Sequence, residues 1–181
     1  YYDFGSSRIE MNHSRNFVLI GTAGADSTIF DAEGKRRHFW LDDGQTDSTV
    51  IKGITFKNGL ADNSTYGGGG SIYYGQNTHV GFVDCVWESN YVKDYYYGGA
   101  ISIYSTANPS FTGCVFKNNY AQNTTAGTQG GAVWVRSPGS KDQLNTAIVF
   151  KQTKFIGNYV VAKHSAYGGA VYADRSTEFI N

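Results

Sequence analysis

One short phrase recurs along this chain in fixed order. An aromatic residue, two further positions and Asn are followed by a polar stretch, then by two glycines, a small residue and an aliphatic one. The first half reads Trp87…Asn90, Phe116…Asn119 and Phe155…Asn158, with a degenerate copy at Phe56…Gly59. The second half reads Gly69-Gly70-Ser71-Ile72, Gly98-Gly99-Ala100-Ile101, Gly130-Gly131-Ala132-Val133 and Gly168-Gly169-Ala170-Val171. Self-similarity at a period of roughly 20 to 50 residues means stacked units, each too small to bury its apolar side alone. The double glycines start 29, 32 and 38 residues apart. Strand pairing does not tolerate slippage, because a slip of one residue turns the core outwards. The surplus residues are therefore expected to leave the stack as loops, at 122–129, 137–146 and 161–167.

Within each copy the apolar residues follow a strand period. Ile51-x-x-Ile54-x-Phe56, Phe82-x-x-Cys85-x-Trp87 and Phe111-x-x-Cys114-x-Phe116 align. Their step of three breaks the alternation at Gly53, Asp84 and Gly113, residue types that suit a sharp bend. After the double glycine come Ile101-Ser102-Ile103, Val133-Trp134-Val135 and Val171-Tyr172-Ala173, inward at the first and third positions. Three short strands and three turns per copy imply coils stacked in parallel, each strand about 4.8 Å from its equivalent. Phe56, Trp87, Phe116 and Phe155 then form one interior aromatic stack. Asn90, Asn119 and Asn158 form an amide ladder, each side chain bonding the next.

The N-terminal stretch fits as a degenerate coil, with strands at Phe17-Val18-Leu19-Ile20-Gly21, Thr28-Ile29-Phe30-Asp31 and His38-Phe39-Trp40-Leu41. The expectation is an all-β parallel β-helix of about five coils, three short strands each, forming a single domain over 1–181. Twenty-three Gly, fourteen Tyr and eleven Phe fit tight turns between strands, and no 3.6-residue period competes. The chain begins at Tyr1 and ends within what reads as a new repeat, Thr177-Glu178-Phe179-Ile180-Asn181. It reads as a piece of a longer protein, with flanking repeats or domains as its first partners.

Fifteen basic and fifteen acidic side chains give no broad field for nucleic acid or an anionic membrane. The one basic run, Lys35-Arg36-Arg37-His38, reads as a solvated turn. No apolar run reaches the roughly 18 residues that a spanning helix needs, so no direct membrane insertion is expected.

The paired Phe-x-x-Asn and Gly-Gly-Ala-aliphatic motifs resemble the repeat of polymorphic outer-membrane proteins, which are adhesin-type surface proteins. The N-terminal Val-Leu-Ile-Gly…Thr-Ile-Phe-Asp…His-Phe-Trp-Leu resembles the opening coils of the wider pectin-lyase-like class. Together these cover nearly the whole chain and imply a right-handed parallel β-helix. The departures are Gly59 in place of the ladder Asn, and Ser71 in place of Ala. This fold carries lyases, hydrolases, epimerases, adhesins and inert shafts, so function has to be argued from the site.

Enzymes of the pectin-lyase-like class, the resemblance implies, work on the outer face of the strand that follows the double glycine, with clustered Asp and Ca²⁺ or with paired Asp. Here one outer column of that strand reads Trp40, Tyr73, Ser102, Trp134, Tyr172, and the next reads Asp42, Gly75, Tyr104, Arg136, Asp174. The two acids stand four coils apart, about 19 Å at strand spacing. Glycoside hydrolysis places its two carboxylates about 5 to 9.5 Å apart. Asp42-Asp43 reads as a solvated strand-to-turn pair. His13, His38, His79 and His164 show no metal-ligand spacing, and no catalytic residue, metal or cofactor is assigned. The outward aromatics Trp40, Tyr73, Tyr104, Trp134 and Tyr172 form the candidate binding surface, for a polysaccharide or a further protein copy. The competing reading is that these rings stack on each other and stabilise the coils.

Cys85 and Cys114 occupy the same inward position in successive coils. A disulfide and two stacked reduced thiols both stay open. Three sequons, at Asn12, Asn63 and Asn123, are candidates for N-glycosylation, the last two in corresponding loops. The expectation is a non-catalytic extracellular or cell-surface scaffold, structural or adhesive. The alternatives are a polysaccharide-active enzyme and a carbohydrate-binding module.

Overall fold

The structure, a computed structural model, describes residues 9–11, 15–42, 44–62, 68–94, 97–104, 106–137 and 147–181. The described residues contain strands and turns and no helix. Every strand pair is parallel, and each strand lies against its equivalent in the next circuit. The chain is an all-β parallel β-helix.

Sheet one stacks Ile9–Met11, Phe39–Leu41, Ile72–Tyr74, Ile101–Ile103, Val133–Val135 and Val171–Ala173. Sheet two stacks Val18–Ile20, Val50–Lys52, Gly81–Val83, Ser110–Thr112, Ile148–Lys151 and Thr177–Ile180. Sheet three stacks Ile29–Asp31, Thr55–Lys57, Val86–Glu88, Val115–Lys117 and Lys154–Ile156. The six strands of sheet one delimit five complete circuits, and the last strands of sheets one and two open a sixth.

Two further sheets modify the expected three-strand circuit. Leu60–Ala61, Tyr91–Lys93, Tyr120–Asn123 and Tyr159–Ala162 form sheet four, directly after the ladder Asn. Thr128–Gln129 and Ala166–Tyr167 form sheet five. Much of 122–129 and 161–167 is thus paired strand instead of free loop. Adjacent circuits lengthen at the same place, and two neighbouring extended segments satisfy their backbone groups by pairing with each other. Of the third expected loop, 138–146 lies outside the described residues.

The columns follow the repeat. Phe56, Trp87, Phe116 and Phe155 are in register on sheet three, with ring centroids 5.5, 4.6 and 5.0 Å apart. On sheet two, Phe82, Phe111, Phe150 and Phe179 stack at 5.3, 4.8 and 5.3 Å. The two stacks meet edge to face, as Phe82 on Trp87 and Phe111 on Phe116, the arrangement that ring quadrupoles favour. The bends sit where expected, with Gly53, Asp84 and Gly113 at positive φ between 51° and 65°, and Gln152 takes the equivalent place in the next circuit at 49°. The turn before the ladder also takes the left-handed conformation, at Asn58, Ser89, Asn118 and Gly157.

The ladder satisfies nearly every polar atom it buries. Asn119 Nδ2 donates down to Trp87 O at 3.0 Å and up to Asn158 Oδ1 at 2.9 Å. Its Oδ1 accepts from Asn90 N and Asn90 Nδ2, both at 3.0 Å. Asn90 repeats the scheme one coil earlier, bonding Phe56 O and accepting from Gly59 N. Gly59 ends the ladder for a steric reason: a Cβ there would run into Gly70 O and the Asn90 amide.

Candidate functional site

Sheet one carries the outer aromatic column in the expected register: Trp40, Tyr73, Ser102, Trp134 and Tyr172 lie side by side on successive strands. Their flat faces are largely used on each other. Trp40 stacks on Tyr73 at 3.9 Å, and Tyr73 meets Tyr104 at 4.9 Å. Trp134 is stacked against Tyr97 at 4.2 Å and touched edgewise by Tyr104. Ser102 is small enough to leave room beside it, and its hydroxyl donates to Tyr97 O. Tyr73 and Trp134 are consequently only 6% and 5% exposed, while Trp40, Tyr104 and Tyr172 stay half-buried.

The basic run departs from its solvated reading. Arg37 is buried, its Nε donating to Gly69 O at 2.9 Å and its Nη2 to Gly68 O at 2.8 Å. Its guanidinium lies 5.4 Å from the Trp40 ring and 5.7 Å from Tyr73, which adds a cation–π component. His38 is also buried, with Nε2 2.8 Å from Phe30 O and Nδ1 3.0 Å from Ser71 Oγ. A carbonyl oxygen only accepts, so Nε2 carries the proton and Nδ1 accepts from the Ser71 hydroxyl. Ser71, the departure from Ala in its motif, is there to meet this imidazole. Burial holds the His38 pKa down at about 4, against weaker opposing effects from the Phe30 carbonyl and Asp31.

The acids of the neighbouring column stay apart. Asp42 folds its carboxylate over Gly75, in the space a Cβ would take. Asp174 sits four strands further along and is bonded to Tyr172, whose phenol it pushes up. Asp43 lies outside the described residues. Among the described residues no three His, Cys, Asp or Glu side chains converge as metal ligands. His79 faces Asp47 at 3.9 Å, His164 is on the surface, and His13 lies outside the described residues.

Cys85 and Cys114 are free thiols, both fully buried. Cys85 Sγ points at Ile51 O at 3.5 Å and Cys114 Sγ at Phe82 O at 3.6 Å, each a carbonyl of the preceding circuit. Thr153 takes the same place one coil later, and its hydroxyl donates to Phe111 O. The position holds a small donor in these three circuits and the apolar Ile54 in the one before them. Burial pushes the thiols up to about 11 for Cys85 and about 12 for Cys114. Both thiols should resist a maleimide at pH 8 in the folded chain and react at two equivalents in denaturant. Labelling of the native protein at the rate of an exposed thiol would contradict this burial.

Of the sequons, Asn12 and Asn63 lie outside the described residues. Asn123 closes a strand and is 2% exposed, not in an open loop. Its Oδ1 accepts from Thr125 N, Thr125 Oγ1 and Ala126 N at 3.0, 3.1 and 2.8 Å, and its Nδ2 donates to Gly127 O. The folded chain holds this amide in a turn of its own, so a glycan on it would have to break that turn.

A second outer column is not evident from the sequence motifs. Tyr97 pairs with Gln129, and Gln129 pairs with Tyr167, so these residues occupy one register position in three circuits. Each directly precedes a double glycine, and aligning that single position would have found them. They line a cleft of about 240 Å³ together with Gly127, Thr128 and Ser165. Tyr167 is 53% exposed. Gln129 Oε1 accepts from Trp134 Nε1 at 2.9 Å, which fixes the orientation of the side-chain amide.

Compared with known proteins, the chain matches no family model, no curated protein and no solved structure.

Proposed function

We propose that this chain is a non-catalytic shaft with an adhesive face, part of a larger extracellular or cell-surface protein or filament. The observation that carries the reading is the outer face of sheet one, where the class of β-helix enzymes suggested by the resemblance would carry its acids. There the rings are turned onto each other, and Asp42 and Asp174 are separated by Gly75, Tyr104 and Arg136. That spacing, about 19 Å, is unsuited to a two-carboxylate reaction. Continuous aromatic and amide columns suit a rigid rod, since each circuit braces the next. The motifs' resemblance to polymorphic outer-membrane repeats supports a surface location. Further coils or copies would pair with the end strands, where Ile156, Val161, Phe179 and Ile180 are exposed.

Incubation with polyuronates, with and without Ca²⁺, should release neither unsaturated nor reducing ends, and antibody to the folded chain should label intact producing cells. Product release, or labelling confined to permeabilised cells, would overturn the proposal. The carbohydrate-binding alternative is favoured by one observation, the cleft on sheet five.

A further inference from the structure

We infer that the cleft on sheet five binds one neutral pyranose ring of a glycan. This deepens the adhesive reading by naming what the face touches, and rests on that reading for its biological purpose.

The register is the first argument. Tyr97 and Tyr167 stand one strand either side of Gln129, so two aromatic rungs bracket an amide rung across about 9.6 Å of sheet. The gap is one rung deep. Tyr97 already lies against Trp134 on one side, which anchors that wall. Tyr167 is more than half exposed and meets Tyr172 loosely, at 6.2 Å and 45°. It supplies an aromatic surface that the chain itself leaves largely uncovered.

The polar groups are the second argument. An indole N–H only donates, so Trp134 must face the oxygen of the Gln129 amide, and the NH₂ is the part left for a ligand. Thr128 and Ser165 complete the lining, and none of the six lining residues carries a formal charge at neutral pH. A charged ligand would find no counter-charge here. A purely apolar aromatic ligand would match the rings and leave the amide donors unused. A pyranose offers an apolar C–H face to a tyrosine and hydroxyl oxygens to the amide, and the cleft has room for one such ring.

The test uses the whole chain and a panel of methyl pyranosides of glucose, galactose, mannose and N-acetylglucosamine, with their short oligomers. Binding is followed by amide chemical shifts. At least one compound should bind saturably with Kd on the order of 1 mM, shifting residues 127–129 and 165–167. Tyr167→Ala should weaken binding about tenfold, and Tyr167→Phe should retain it within about threefold. No saturable shift with any compound overturns the inference, as do shifts centred elsewhere or binding that Tyr167→Ala leaves unchanged. A stronger response to an aromatic peptide than to any sugar overturns it too. Polyuronate cleavage with the cleft still binding sugar would defeat the shaft reading alone. An uncut polymer with an empty cleft would defeat this inference alone.

Discussion

Asn119→Ala is expected to lower the stability of the fold by about 4 kcal/mol, read from urea unfolding at neutral pH. The figure comes from what one truncation orphans. Asn90 N loses its acceptor, the Asn119 Oδ1. Trp87 O loses its side-chain donor, and Asn158 Oδ1 loses one of two. Asn90 and Asn119 are both fully buried, so water cannot replace the missing partners. Each orphaned buried group costs about 1–3 kcal/mol, and the lost side chain leaves a small void. Asn119→Asp is no rescue, because it keeps the acceptors, discards both donors and buries a charge. Asn158→Ala should cost roughly half as much, because Asn158 is only half-buried and solvent can reach its partners. If Asn119→Ala costs less than about 1 kcal/mol, or no more than Asn158→Ala, the ladder is ornamental and the core alone holds the circuits in register.

The ladder, the ring stacks and the bends are legible in the chain because each is a local pattern repeated. Phe-x-x-Asn recurs, the apolar residues alternate, and Gly or Asp marks the corner. Stacking then follows from strand geometry without further information. What the sequence hides depends on contacts between different columns. The outward register of Trp134 is legible, but its cover is not, since Tyr97 arrives from the previous circuit to fill the space beside Ser102. Arg37 looks like a solvated charge until the carbonyls of Gly68 and Gly69, 31 and 32 residues away, are brought over it. Sheets four and five escape notice because their strands are two to four residues long and sit where the repeats differ in length. The alternation of Tyr91-Val92, Tyr120-Ala121 and Tyr159-Val160 is present, but two residues do not define a period. The cleft is hidden for a related reason. Its chemistry lies in the single residue before each double glycine, a position that varies between Gly68, Tyr97, Gln129 and Tyr167 while the motif beside it stays fixed.

His38 makes the fold acid-sensitive in a defined window. Its pKa falls from 6.5 in an exposed chain to about 4 in the folded one, chiefly through burial. The unfolded state therefore binds more protons between these values, and stability rises with pH across that interval. The contribution is fully present above about pH 6.5 and lost as pH falls through about 4, a total of about 3 kcal/mol. By pH 5, where most carboxylates are still ionised, about 2 kcal/mol of it should already be gone. Asp31 favours the charged imidazole and Arg36 opposes it, both weakly beside desolvation. His38→Gln removes the titrating group and keeps an amide that can donate to Phe30 O. Urea unfolding at pH 7 and pH 5 should show the wild-type chain losing about 2 kcal/mol and the variant nearly nothing. Equal losses in both would place the acid sensitivity in other groups and show that His38 is solvated enough to titrate normally. A wild-type chain equally stable at both values would also mean a solvated His38, because a neutral imidazole sealed between Phe30 O and Ser71 cannot accept a proton without cost.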